Sequence, residues 1–133
     1  MTQNAALRAL YKMLDGRRLE YHDDFIGDIR EVIFGTGQEQ PFLKKLLHRI
    51  NALLVEGANA IGNPGFEKLK HCADLYSMHV DTQSLNIRVL FALRDNNVQL
   101  LLLAFNEKEG KRKTDYSQKI PEALRRLSEK IST

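Results

Sequence analysis

Arg88 stands in the middle of an apolar run, Ile87-Arg88-Val89-Leu90-Phe91. A guanidinium among aliphatic side chains must pair with a carboxylate or face a ligand, because an isolated buried charge is costly. His79 lies two residues after Ser77 in a stretch of alternating polarity. It can exchange a proton near neutral pH, or it can be a half-exposed strand histidine. Tyr116 offers a hydroxyl and an aromatic ring, or it packs with its hydroxyl on backbone. Lys108, Lys111, Arg112 and Lys113 crowd the segment after the last apolar run. They are solvated charge or an anion-holding patch. An arginine, a proton-exchanging histidine and a group of lysines are the parts that phosphate chemistry uses.

Other chemistries lack their signatures. There is no glycine-rich phosphate loop, zinc-ligand spacing or nucleophile elbow. His22, His48, His71 and His79 are scattered, and His71 adjoins Cys72, so no tetrahedral site closes easily; no metal or cofactor is expected. Cys72 is the single cysteine, which excludes an intramolecular disulfide and suits a reducing compartment. No signal-peptide run or stretch of ~18 apolar residues is present, so the expectation is a cytoplasmic protein without membrane contact.

The 133 residues fit one domain, and a 43% apolar share suffices for a core. The net charge of +3 is uneven. Residues 1–40 hold five Lys/Arg and seven Asp/Glu, giving −2, whereas residues 41–133 hold fifteen and ten, giving +5. A basic second half suits a polyanion partner or a solvated helix face.

The elements that position these residues follow from periodicity. Residues 3–14 read as a helix through Leu7, Leu10, Tyr11 and Leu14, with Gly16 as its stop. Residues 17–21 are extended. A helix covers residues 25–34, capped by Asp23 or Asp24. Pro41, at a first helical position, opens the clearest helix, to about Glu56. Residues 59–65 form a loop. From Leu75 the period changes to two: Tyr76, Met78 and Val80 face one way, Leu75, Ser77 and His79 the other. Ile87, Val89, Phe91 and Leu93 share a face, and Arg88 lies opposite with Leu90 and Ala92. The run 98–105 is apolar on both faces and marks a central strand. Pro121 opens a final helix to about Ile131. The order implies an α+β fold: a small antiparallel sheet with helices packed on one face, N-terminal helices first and one C-terminal helix last.

These segments resemble a known family. Phe66-Glu67-Lys68-Leu69-Lys70, then Leu75-Tyr76-Ser77-Met78-His79-Val80, then Asn86-Ile87-Arg88-Val89-Leu90-Phe91, then the run from Leu100 to Lys108, together resemble RelE/HigB-type toxins of bacterial type II toxin–antitoxin pairs, in the RelE/ParE superfamily. The ending Thr114-Asp115-Tyr116-Ser117-Gln118-Lys119-Ile120-Pro121 is similar to one HigB-related branch. The resemblance spans about Pro41 to Ile131. Residues 1–133 then form one such domain, with residues 1–16 as an N-terminal helical extension.

The resemblance implies a twisted antiparallel sheet and ribosome-dependent, metal-independent cleavage of messenger RNA. The ribose 2′-OH attacks the adjacent phosphate, which needs a base, positive charge for the phosphorane and an acid for the leaving 5′ oxygen. Carried over, Arg88 is the phosphate clamp, His79 the acid or base, and Tyr116 a positioning group that stacks on an unstacked base. Lys68, Lys70, Lys108, Lys111, Arg112 and Lys113 form the RNA-binding set. The implied partners are the ribosome with its messenger RNA and a cognate antitoxin of helix-turn-helix type. Two departures stand out: Ser77 occupies a position where some relatives carry lysine, and the loop 106–114 is longer. The alternatives are a non-nucleolytic member of the same scaffold, either a gyrase poison of ParE type or a partner-binding regulator, and an unrelated interaction module whose charged side chains point apart.

Overall fold

Thr2 caps the first helix by accepting the Ala5 N–H at 3.1 Å. From there the computed structural model runs α1 (Gln3–Leu14), β1 (Leu19–Tyr21), α2 (Phe25–Ile33), α3 (Glu39–Glu56), β2 (Phe66–Lys68), β3 (Tyr76–Asp81), β4 (Asn86–Leu93), β5 (Gln99–Asn106) and α4 (Arg112–Ile131). The structure describes residues 1–70, 72, 74–108 and 110–131; His71 lies outside them, as does residue 109 of the loop 106–114.

The fold is α+β, with one open five-stranded sheet in the order β1-β5-β4-β3-β2. The ladders β2–β3, β3–β4 and β4–β5 are antiparallel. The short edge strand β1 is parallel to β5, with Leu19 opposite Gln99 and Tyr21 opposite Leu101. Helices, not a hairpin, separate β1 from the rest of the sheet, and a long connection permits a parallel neighbour.

Helices cover both faces, which corrects the expected one-sided arrangement. Leu10, Phe25, Ile29, Phe42, Leu46 and Ile50 of α1–α3 pack with Met78, Val80, Val89 and Phe91. On the opposite face, Tyr116, Ala123 and Leu127 of α4 cover Leu90, Leu100, Leu102 and Phe105. The reason is legible in β5, whose side chains are apolar on both faces: leaving the second face bare would expose Leu100 and Leu102, each worth roughly 1.5–3 kcal/mol when buried. A bulge where Leu90 and Phe91 meet β5 places Leu102 and Leu103 together in the α4 cluster.

Three elements differ most from expectation. α3 begins at Glu39, so Pro41 occupies the third helical position, where its missing N–H is still an orphan. β2 forms where only a family motif was noted, held to β3 with Phe66 opposite Met78. α4 begins at Arg112, nine residues before Pro121, which lies inside the helix. Burial of Tyr116 outweighs the bias of the residue before proline against helix. Arg112 and Lys113 are therefore helical residues rather than loop cations.

Candidate functional site

The strand registers assemble one polar cluster on the α4 side of the sheet. His79 lies directly opposite Arg88 on the β3–β4 ladder. Arg88 is in turn opposite Phe105 on β5. Glu67 of β2 lies opposite Ser77, and directly opposed residues share a face. The first turns of α4 add Arg112 and Tyr116, spaced i, i+4 on one helix face.

Glu67 is the centre. Its Oε1 lies 2.9 Å from His79 Nε2. Arg112 Nη2 donates to both of its oxygens at 2.7 and 2.9 Å. The Tyr116 hydroxyl lies 3.3 Å from Oε1 and 2.8 Å from Ser77 Oγ. Burial alone would raise the Glu67 carboxyl, but the hydrogen bonds from Arg112 and His79 outweigh it and hold the group below its ordinary range. Glu67 is thus a carboxylate at neutral pH. A neutral His79 donates from Nε2 to Glu67, which leaves the lone pair on Nδ1 as the atom able to take a proton.

Arg88 is not a solvent-facing clamp. It is 6% exposed. Its Nη1 donates to Asp81 at 2.5 Å and its Nη2 to Glu107 at 3.2 Å. Burial opposes its charge, yet the Asp81 hydrogen bond and the charges of Asp81 and Glu107 prevail and hold its pKa above the ordinary value. Glu107 also accepts from Arg112 at 3.3 Å, so the two arginines share it. The charged chain runs His79, Glu67, Arg112, Glu107, Arg88, Asp81.

Tyr116 also departs from its expected role. The Arg112 guanidinium lies over its ring at 4.8 Å, and Phe105 meets it edge-on at 5.2 Å. Only 6% of the residue is exposed, so no free face remains on which a nucleobase can stack. Burial pushes its hydroxyl up to about 12, despite the hydrogen bond with Ser77 and the positive charges of Arg88 and Arg112. It positions Glu67 and Ser77 and is no base at neutral pH.

His79, Arg88, Tyr116 and Arg112 therefore do converge. Lys108, Lys111 and Lys113 lie around the start of α4 and are exposed. Lys68 is exposed too, but its place opposite Tyr76 puts it on the other face of β2 from Glu67. Lys70 follows two residues beyond that strand, exposed. None of these five lysines forms an ion pair among the described residues. Sequence reasoning missed Glu67, Glu107 and Asp81. One signal was available: Asp81 continues the alternation of Ser77 and His79, on the strand beside a buried arginine.

Among the described residues, no group of three or more His, Cys, Asp or Glu is placed to hold a metal ion. None of their helices is long and apolar enough to cross a membrane. No protein-family model and no curated protein matches the chain.

Proposed function

We propose that this chain is an endoribonuclease of RelE/HigB type: a cytoplasmic toxin that cuts messenger RNA on the ribosome and is held inactive by a helix-turn-helix antitoxin. One observation supports this most. The His79–Glu67 pair reaches solvent, 27% and 28% exposed at the side chain, beside Arg112 at 53%. Exposed lysines 108, 111 and 113 lie close by in the chain.

His79 Nδ1 takes the proton of the ribose 2′-OH as that oxygen attacks the adjacent phosphorus. The 5′ oxygen leaves with a proton taken from solvent water, the resulting hydroxide recovers the proton held by His79, and a 2′,3′-cyclic phosphate remains. Glu67 orients the imidazole, the base-and-orienter arrangement of activated nucleophiles. Arg112 and the lysines offset the added charge of the phosphorane. Arg88 and Tyr116 hold Glu107 and Glu67 behind this surface.

The second reading is a non-nucleolytic protein of the same scaffold, a gyrase poison or a partner-binding regulator. It is favoured by the carboxylates that already occupy Arg88 and Arg112.

The test is primer extension on messenger RNA in a purified translation system, with and without ribosomes. The expected result is cleavage only with ribosomes, lowered about 10²–10⁴-fold by His79→Gln. Equal cleavage without ribosomes removes the ribosome from the mechanism. No cleavage in either arm, with loss of gyrase supercoiling, selects the second reading.

A further inference from the structure

We infer that the groove between α1 and α3 docks an acidic, amphipathic helix of a partner protein. The groove encloses about 480 Å³. Its floor is Ala9, Met13, Leu43 and Leu47, and Lys12, Arg17 and Lys44 stand around it. No aspartate or glutamate lines it.

Charge decides the occupant. Arg88, Arg94, Arg112, Arg125 and Arg126 each hold a carboxylate. The three cations at this groove hold none among the described residues; the same is true of Lys68, Lys70, Lys108, Lys111 and Lys113, and what marks this place is that its cations surround an apolar floor with no carboxylate. Arg17 donates to the Met13 carbonyl at 2.5 Å and to the Asn51 side-chain oxygen at 2.8 Å, both neutral acceptors. Lys12 and Lys44 are exposed. Two of the three rim cations, Lys12 and Arg17, come from residues 1–40, which carry −2 overall, so composition alone does not account for this positive rim.

Shape and polarity narrow it further. A trough between two packed helices takes a third helix, anchored by apolar residues at i, i+3 or i+4, and i+7. An apolar floor offers no donors to sugar or phosphate, which disfavours nucleic acid. A concave floor disfavours a flat lipid surface. Lys and Glu at the edges of such an interface set its orientation and choice of partner more than its affinity. The groove lies on the face of the sheet opposite the Glu67 cluster, so this inference does not depend on the nuclease reading.

The probe is a phage-displayed library of random peptides, about 15 residues or four helical turns long. It is panned on the full wild-type chain. Enriched peptides are expected to carry paired apolar residues at helical spacing with Asp or Glu beside them. They should bind the Lys12→Glu/Lys44→Glu variant at least about tenfold more weakly, a difference of about 1.4 kcal/mol. Both lysines are exposed, so an unchanged far-ultraviolet circular dichroism spectrum is expected and verifies the fold. In two-dimensional amide NMR the peptide should shift Ala9, Met13, Leu43 and Leu47. Failure to enrich acidic sequences, equal binding to the variant, or shifts elsewhere overturns the inference. So does capture of phosphatidylglycerol vesicles through these same residues with no peptide selected, which would make the face a lipid surface.

Discussion

Asp28 and Arg126 come from helices on opposite faces of the sheet and meet 2.6 Å apart beyond the open edge of β5. β1 pairs with β5 only as far as Leu101. Past that point Arg126 donates to the Leu102 carbonyl at 2.9 Å, and Asp28 accepts the Ala104 N–H at 3.1 Å. The ion pair satisfies strand groups that a longer β1 would otherwise hold, and it closes an edge open to other chains. Breaking one member of a buried pair costs about 3–5 kcal/mol. Asp28→Ala and Arg126→Met should each lower urea-unfolding stability by that order. The double variant should lose clearly less than their sum. Additive losses would mean the two residues act separately.

Arg88 should prove structural before it proves catalytic. It lies between Asp81 and Glu107, the latter 13% exposed at its side chain. Arg88→Ala leaves a largely buried carboxylate without one of its arginines, and a loss of about 3–5 kcal/mol follows. Adding Glu107→Gln should restore part of it. A variant of unchanged melting temperature that no longer cuts RNA would instead assign Arg88 to the substrate.

Tyr116 gives a spectroscopic prediction. Its hydroxyl is pushed up to about 12 from an ordinary 10.0. The neutral phenol therefore favours the folded state. That stability is complete below pH 10 and drains away as pH rises through about 12. The difference in absorbance near 295 nm between wild type and Tyr116→Phe should rise around pH 12. A rise centred at or below pH 10 would show a solvated or cation-activated phenol.

Glu67 gives the acid-side counterpart. Its folded pKa lies below the ordinary 4.5. Its contribution is present above that value and is lost as pH falls through the folded pKa. The stability gap between wild type and Glu67→Gln should shrink as pH falls below 4.5. A gap that persists undiminished into strong acid would mean the carboxylate's charge is not what holds the cluster.

Gly65 tests the support behind His79. Its φ is +94°, and an added Cβ would collide with the Arg49 guanidinium. Arg49 donates to the His79 carbonyl at 2.9 Å, so displacing it disturbs β3. Gly65→Ala should cost about 1–3 kcal/mol by thermal or urea unfolding. In an Arg49→Ala background the clash is gone and only the backbone strain should remain. Equal costs in both backgrounds would discount the contact.

Much of the frame was legible locally. The stripe Leu7-Leu10-Tyr11-Leu14, the apolar face of residues 42–54 and the period-two runs from residue 75 gave the right element types, because burial on one face is written into spacing, although Tyr11 is exposed and Met13 is buried instead. The α+β class followed from their order. Boundaries failed where packing overruled local preference. Pro121 read as a start because proline favours a first turn, yet Tyr116 is buried upstream and draws the helix back to Arg112. β2 went unread because three residues carry too little period to register.

The site divides along the same line. Sequence alone determined that Arg88 needed a partner, that His79 and Ser77 share a face, and that cations follow the last strand, since each depends on neighbours within a few residues. Only the tertiary structure decided which carboxylates answer those cations. Glu67 lies twelve residues from His79 and forty-five from Arg112. Such contacts are set by strand register and by the face α4 covers, and both minimise exposed apolar surface over the whole chain rather than within any one segment.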